Sequence, residues 1–444
     1  MNKIVKIIFC IAVLFIPSGL FAQIVFDLQQ CLETGLERNY EIRIVRNEQK
    51  IADNNATIGN AGFLPTLDLN GGYSGTLNDI DQKYEDGSQT KNNGVFNQSA
   101  NAGLNLNWTI FDGFAIQTEY SRLKELKRMG EITTRLSVEN LITELTAEYY
   151  NNVRQNLRLG NLKYAVSLSK ERLRIVEAHY NIGSKSRLDL QQARVDFNAD
   201  SSKLIKQFEV VYASGITLNQ LMAVEDVSQK IIVVDSVINV NIFLEEESLW
   251  EKTLMINSSL LLADKNKTLS QLDYETIKSR NYPYLKFNAG YGYSTNLYET
   301  GSLDRQETLG LNYGFTLGFN LFDGLNRKRE KKNAKITIQN RELRYEQLEL
   351  SLKADLANMW MAYQNNLELV NLEKENLGAA RENYEIAMER YKLGDLSGIE
   401  LREAQNSLLE AEERLLEAQY NTKICEISLL QISGQVTSYL DQSV

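Results

Sequence analysis

Residues 309–322 read LGLNYGFTLGFNLF and run directly into Asp323-Gly324 and a long charged segment. Leu309, Leu311, Tyr313, Phe315, Leu317, Phe319 and Leu321 share one side of a two-residue repeat; Gly310, Asn312, Gly314, Thr316, Gly318 and Asn320 share the other. A period of two marks a strand, here one with an apolar face and a small polar face. The solvent face of a soluble sandwich strand usually carries Lys, Glu or Thr, and the run exceeds the roughly ten residues that bound most such strands. A barrel strand of the outer membrane, apolar toward lipid and small and polar toward the lumen, accounts for both faces.

Working outward, three more segments alternate in the same way, starting at Leu67, Ala102 and Leu285. They make two hairpins. Lipid leaves no strand edge satisfied and single-chain barrels need about eight strands or more, so four strands imply a barrel shared between subunits. At the amino end, Lys3 and Lys6 precede an apolar run and a small-residue site at Ala22, the pattern of a cleaved signal peptide over residues 1–22. No later apolar run approaches the ~18 residues of a membrane helix.

With three prolines and 24% charged residues in 444, the rest of the chain favours long helices. The formal charge is −10, an acidic balance that argues against nucleic acid. One histidine, His179, and two cysteines outside the signal, Cys31 and Cys425, leave no spacing for a zinc or haem site and no nucleophile constellation, so neither a cofactor nor an enzymatic activity is expected. For the cysteines two readings stand, packed free thiols or a Cys31–Cys425 disulfide in an oxidising compartment.

The chain repeats itself. Phe111-Asp112-Gly113 recurs as Phe322-Asp323-Gly324, and Tyr180-Asn181-Ile182-Gly183 as Tyr391-Lys392-Leu393-Gly394, both at an offset of 211. Asn39 and Pro65 match Asn257 and Pro283 at an offset of 218, so seven residues are gained inside the hairpins, which places a long polar loop at 78–99. The two copies divide the mature chain at 23–240 and 241–444, each reading helix, hairpin, very long helix, tight turn, helix. The long segments, about 114–179 and 325–390, would each stretch on the order of 100 Å. Asp112 and Asp323 stand where helix N-caps belong, and the prolines mark the change from helix to strand. Leu348, Leu352, Leu356, Met359, Tyr363, Leu367 and Val370 follow an eleven-residue repeat; Leu401, Ala404, Leu408, Ala411, Leu415, Ala418, Thr422, Cys425, Leu429 and Ile432 follow a heptad. Residues 225–247 break the helical pattern and predict a small mixed structure.

Signal peptide, paired hairpins, Phe-Asp-Gly junctions and Tyr-x-x-Gly turns in this order resemble the TolC-like outer-membrane efflux protein family over residues 23–444. The resemblance implies an α+β membrane protein: a long antiparallel α-helical coiled-coil barrel forming a periplasmic tunnel, plus four strands given to a twelve-stranded transmembrane β-barrel in a homotrimer. It implies an outer-membrane channel of a tripartite efflux or type I secretion system, working with a periplasmic adaptor (membrane fusion protein) and an inner-membrane transporter, and lying among outer-membrane lipid. The alternative is a periplasmic structural coiled-coil or adaptor protein without its own pore.

By the same resemblance the turns carrying Gly183, Ser184, Lys185 and Ser186, and Gly394, Asp395, Leu396 and Ser397, form the mouth where adaptor hairpins dock. Glu400 and Glu403, with Asp189 and Gln192 opposite them in the first copy, take the places of the acidic residues that narrow the pore. Physically, Gly183 and Gly394 suit the left-handed residue that ends a helix, and Ser186 and Ser397 suit the N-cap that starts the next. Leu396 and Lys185 stand where the family usually has a basic lock residue. His179 falls on a last helical turn, where it favours the dipole.

Overall fold

Strand pairing begins beside the two prolines. In the computed structural model, which describes residues 24–440, Pro65 precedes strand β2 (Thr66–Lys83), paired antiparallel with β3 (Gln89–Phe111), and Pro283 precedes β5 (Tyr284–Leu297), paired antiparallel with β6 (Arg305–Gly318). The four form one sheet in the order β2-β3-β5-β6. Two short strands, β1 (Ile24–Phe26) and β4 (Ile231–Val233), pair in parallel elsewhere. The helices are α1 (Leu28–Arg38), α2 (Tyr40–Asn55), α3 (Ala115–Asn181), α4 (Arg187–Leu221), α5 (Glu246–Ile256), α6 (Ser258–Ser279), α7 (Asn326–Leu393) and α8 (Gly398–Ile432). The proposed signal peptide lies outside the described residues.

The chain forms two compact units. One takes the described residues up to Arg43, Ser137–Asn257 and those from Leu352 onward; the other takes Ile44–Leu136 and Ser258–Ser351. Each draws on both sequence copies.

In the second unit the register keeps like with like. Leu69 opposes Leu104, which opposes Tyr291, which opposes Leu311; on the other face Asp68, Asn105, Gly290 and Asn312 line up. Leu69, Tyr313 and Leu317 are 76%, 73% and 73% exposed, so within one chain the apolar face is uncovered. On the polar face the carboxamides of Asn105 and Asn312 lie over Gly290, where a methyl group would collide with them. Asn288 Nδ2 donates to Asn107 Oδ1 at 2.7 Å.

Two expectations need correction here. Residues 319–322 lie outside β6, because its last partner, Tyr284, opposes Gly318 and Pro283 ends the partner strand. The long polar loop at 78–99 is mostly strand: β2 and β3 continue past a bulge at Asn78/Ile80 to a tip at residues 84–88, closed by Tyr84 N–H on Ser88 O at 2.9 Å. The extra residues lengthen the arms, not the turn, since alternating polar residues pair as well as apolar ones.

The other unit holds the main cores. Leu32, Ile142, Leu145, Tyr149, Leu218 and Met222 are fully buried together, with Cys31 among them. Cys425 packs with Leu356, Tyr363 and Leu429, and both thiols are free, which sets aside the disulfide. Burial pushes the Cys31 thiol up to about 12. Of the heptad positions on α8, all but Leu415 and Ile432 are buried, and all seven of the eleven-residue row on α7 are at least half-buried. Residues 225–247 contribute only β4 as regular structure before α5; the remainder is irregular and contributes Ile238 to the core.

Candidate functional site

Both tight turns use one construction, at an offset of 211. Gly183 (φ 78°) ends α3 with its N–H on Tyr180 O at 2.9 Å and Ser184 N–H on His179 O at 2.9 Å. Gly394 (φ 87°) ends α7 with its N–H on Tyr391 O at 3.1 Å and Asp395 N–H on Arg390 O at 3.0 Å. The left-handed angle is what glycine tolerates without a Cβ clash, and the backward bonds satisfy the last carbonyls. His179 Nδ1 lies 2.9 Å from Ser184 Oγ.

Ser186 and Ser397 then cap α4 and α8, and here the sequence reading was incomplete. Each serine sits three residues before an acid that reaches back: Ser186 N–H donates to Asp189 Oδ2 at 3.0 Å, and Ser397 N–H donates to Glu400 Oε2 at 2.9 Å. In return Asp189 N–H and Glu400 N–H donate to the serine hydroxyls, both at 3.2 Å. These are capping boxes, visible in sequence as Ser-x-x-Asp and Ser-x-x-Glu. Hydrogen bonds from the serine hydroxyls and N–H groups hold both carboxyls below their ordinary values of 3.8 and 4.5. Glu403, one turn on, is exposed and, among the described residues, has no carboxylate-to-cation contact.

The two turns meet over one core of Val176, Leu190, Tyr384, Tyr391, Leu401 and Leu408, against which Leu396 packs. Lys185 Nζ lies 5.8 Å from the Tyr391 ring centre. Beside them is a cavity of about 120 Å³, lined among others by Arg172, Asp189, Tyr391 and Ser397. In its wall Arg172 pairs with Asp196, and Arg402 grips Asp200 through two bonds of 2.6 and 2.8 Å. Gln192 donates to Asp196 at 3.0 Å, so it braces this pair.

Outside this packed base the tips are exposed, and they present apolar side chains that sequence reasoning missed. Ile182 and Leu188 on the first turn are each 77% exposed; Leu393 and Ile399 on the second are each 78% exposed. They match at the same offset of 211, the signal that could have found them. Asn39 and Asn257 were likewise matched without a role: their carboxamides donate to Leu221 O and Ile432 O, at 3.0 and 2.9 Å, closing the ends of α4 and α8 alike. Among the described residues no group of acidic, His or Cys side chains suits a metal.

An uncovered lipid-suited sheet and paired helical turns built twice define an outer-membrane channel subunit. The chain belongs to the outer membrane efflux protein family, whose sequence model matches residues 32–224 and 250–435. It is an outer-membrane efflux protein, not an enzyme. Among solved structures it is similar to the CmeC outer membrane channel of Campylobacter jejuni, with a TM-score of 0.76 at 17% identity over 92% of this chain and 85% of that one. It is also similar to the outer membrane protein VceC of Vibrio cholerae (0.73, 15%, 92% and 96%) and to the open state of the MtrE channel of Neisseria gonorrhoeae (0.71, 19%, 92% and 88%). At these identities the likeness concerns the fold. Comparison with curated proteins gives no match.

Proposed function

We propose that the protein is the passive exit duct of a tripartite efflux or type I secretion system. Three copies close a twelve-stranded barrel, and the helical turns receive a periplasmic adaptor joined to an inner-membrane transporter. The observation that carries this reading is the paired tip. Two turns of identical construction hold four apolar side chains in water, an arrangement folding alone does not need and a partner hairpin would cover. The sheet supports the sharing of a barrel, since β2 and β6 each keep one edge unpaired within the chain.

In this reading Gly183, Ser184, Lys185 and Ser186 with Gly394, Asp395, Leu396 and Ser397 form the docking face. Glu403 supplies the free carboxylates of the constriction, with Glu400 and Asp189 beside it held in their boxes. A photoreactive residue at Ser184 or Asp395, irradiated in the native cell, is expected to capture an adaptor. An adaptor of a proton-driven pump assigns small-molecule or metal efflux, and one of an ATP-driven exporter assigns secretion. Folded protein in the outer membrane that captures nothing from either position overturns the docking role.

A further inference from the structure

The start of α7 carries a charge pattern its own helix opposes. Residues 326–335, NRKREKKNAK, hold six Lys or Arg against one Glu, whereas the matching residues of the first copy, AIQTEYSRLK, hold two. Cations in a first turn face N–H groups of the same sign. α4, α5 and α8 place acids there, and α7 places none. The run is therefore not explained by helix formation.

Nor is it neutralised within the chain. Arg327 is engaged, pairing with Asp323 at 3.0 Å and donating to the carbonyls of Arg280 and Asn320 at 2.6 and 2.8 Å. Glu330 pairs with Arg280 and reaches Arg329 only at 4.0 Å. Among the described residues Lys328, Lys331 and Lys332 have no carboxylate within ion-pair distance.

The surroundings indicate what does neutralise them. Lys328 and Lys331 border a hollow of about 400 Å³ whose other walls include Leu321, Phe322 and Leu325, which are 85%, 76% and 62% exposed. These exposed apolar side chains lie in the short segment between the end of β6 at Gly318 and the start of α7. Lys328 and Lys332 are four apart and so share one side of α7, one turn into a helix that Leu325 immediately precedes. Exposed apolar side chains and unpaired lysines thus border one hollow, the pattern of a membrane-surface anchor for acidic headgroups. We infer that these lysines bind the phosphate headgroups of anionic phospholipids in the leaflet bordering the helices, with acyl chains against Leu321 and Phe322. The inference rests on the outer-membrane placement of the sheet.

The test is reconstitution of the full chain into phosphatidylcholine bilayers carrying spin-labelled phosphatidylglycerol or spin-labelled phosphatidylcholine, with the motionally restricted fraction of each label compared. The restricted fraction is expected to favour phosphatidylglycerol by at least about fivefold, the effect of one fully engaged cation. That preference is expected to vanish in a Lys328→Gln, Lys331→Gln, Lys332→Gln variant and to survive Lys203→Gln with Lys206→Gln, which remove exposed charge from α4. Should the triple variant not assemble, the wild-type preference is expected to collapse at about 1 M salt, where screening acts within roughly 3 Å. Protein that inserts but shows no preference, or a triple variant that retains it, overturns the lipid site alone. Protein that stays out of the bilayer overturns the membrane placement as well.

Discussion

Asp189 and Glu400 differ from Glu403 in how their carboxylates are engaged. Each spends its carboxylate on the backbone and hydroxyl of the serine that starts its helix, whereas Glu403 spends none. A Glu403→Gln channel in a planar bilayer is therefore expected to lose more cation preference, measured by reversal potential in a KCl gradient, than a Glu400→Gln channel. Equal losses would put both carboxylates in the lumen. Because both capped carboxyls titrate below their ordinary values, the stability they lend the turns is complete above about pH 4.5. It is lost as pH falls through the folded-state values. Amide exchange protection at Ser186 and Ser397, whose N–H groups donate to these carboxylates, should fall across that window, and Ser186→Ala or Ser397→Ala should weaken the pH dependence while costing about 1 kcal/mol. A different residue-scale feature lies deep in the helical unit. Lys423 Nζ sits 2.8 Å from Glu426 Oε1 with side chains 6% and 2% exposed, and Tyr439 donates to the same oxygen at 2.7 Å. Glu426→Ala leaves that ammonium without its counter-charge, and a loss of about 3–5 kcal/mol is expected in thermal unfolding followed by helical circular dichroism.

At the scale of elements, the Phe-Asp-Gly junction shows how one motif meets two surroundings. Asp112 accepts the Ile116 N–H at 3.1 Å and Asp323 accepts the Arg327 N–H at 2.9 Å, so both copies cap the long helix. Both then take two successive left-handed residues, Gly113 and Phe114 (φ 73° and 75°), Gly324 and Leu325 (φ 69° and 67°). Phe114 offsets its strained backbone by stacking edge-on with Phe111 and Tyr282, at 5.2 and 5.9 Å between ring centres, while Leu325 stays exposed. Gly324→Ala should cost about 1–2 kcal/mol, the left-handed penalty alone. Gly113→Ala should cost about 1–3 kcal/mol beyond that, because its methyl group would collide with the Ser279 carbonyl and the Tyr282 side chain. Thermal unfolding of the two variants side by side checks the order, and equal losses would refute the contact argument.

For the whole molecule, the sheet is the unfinished part. Its apolar face is bare, and β2 and β6 each lack a neighbour on one side, so completion by further copies follows from hydrogen bonding as much as from hydrophobicity. Cysteines placed pairwise along β2 and β6 are expected to give covalently closed trimers on oxidation in the membrane; a ladder ending at dimers would refute the trimer. Cys31 and Cys425, both buried and free, are expected not to react with a thiol reagent until the chain is unfolded. The sequence by itself determined the four strands, the two long helices, the repeat and the serine-started turns, because each is written in local periodicity or in a residue with one conformational niche. The end of β6 at Gly318, the strand character of residues beyond Asn78 and the free state of the thiols were decided only in the tertiary structure. So was the exposure of Ile182, Leu188, Leu393 and Ile399. Pairing, burial and the partner of a side chain depend on what lies across from a residue, and that is a property of the folded chain, not of its neighbours in sequence.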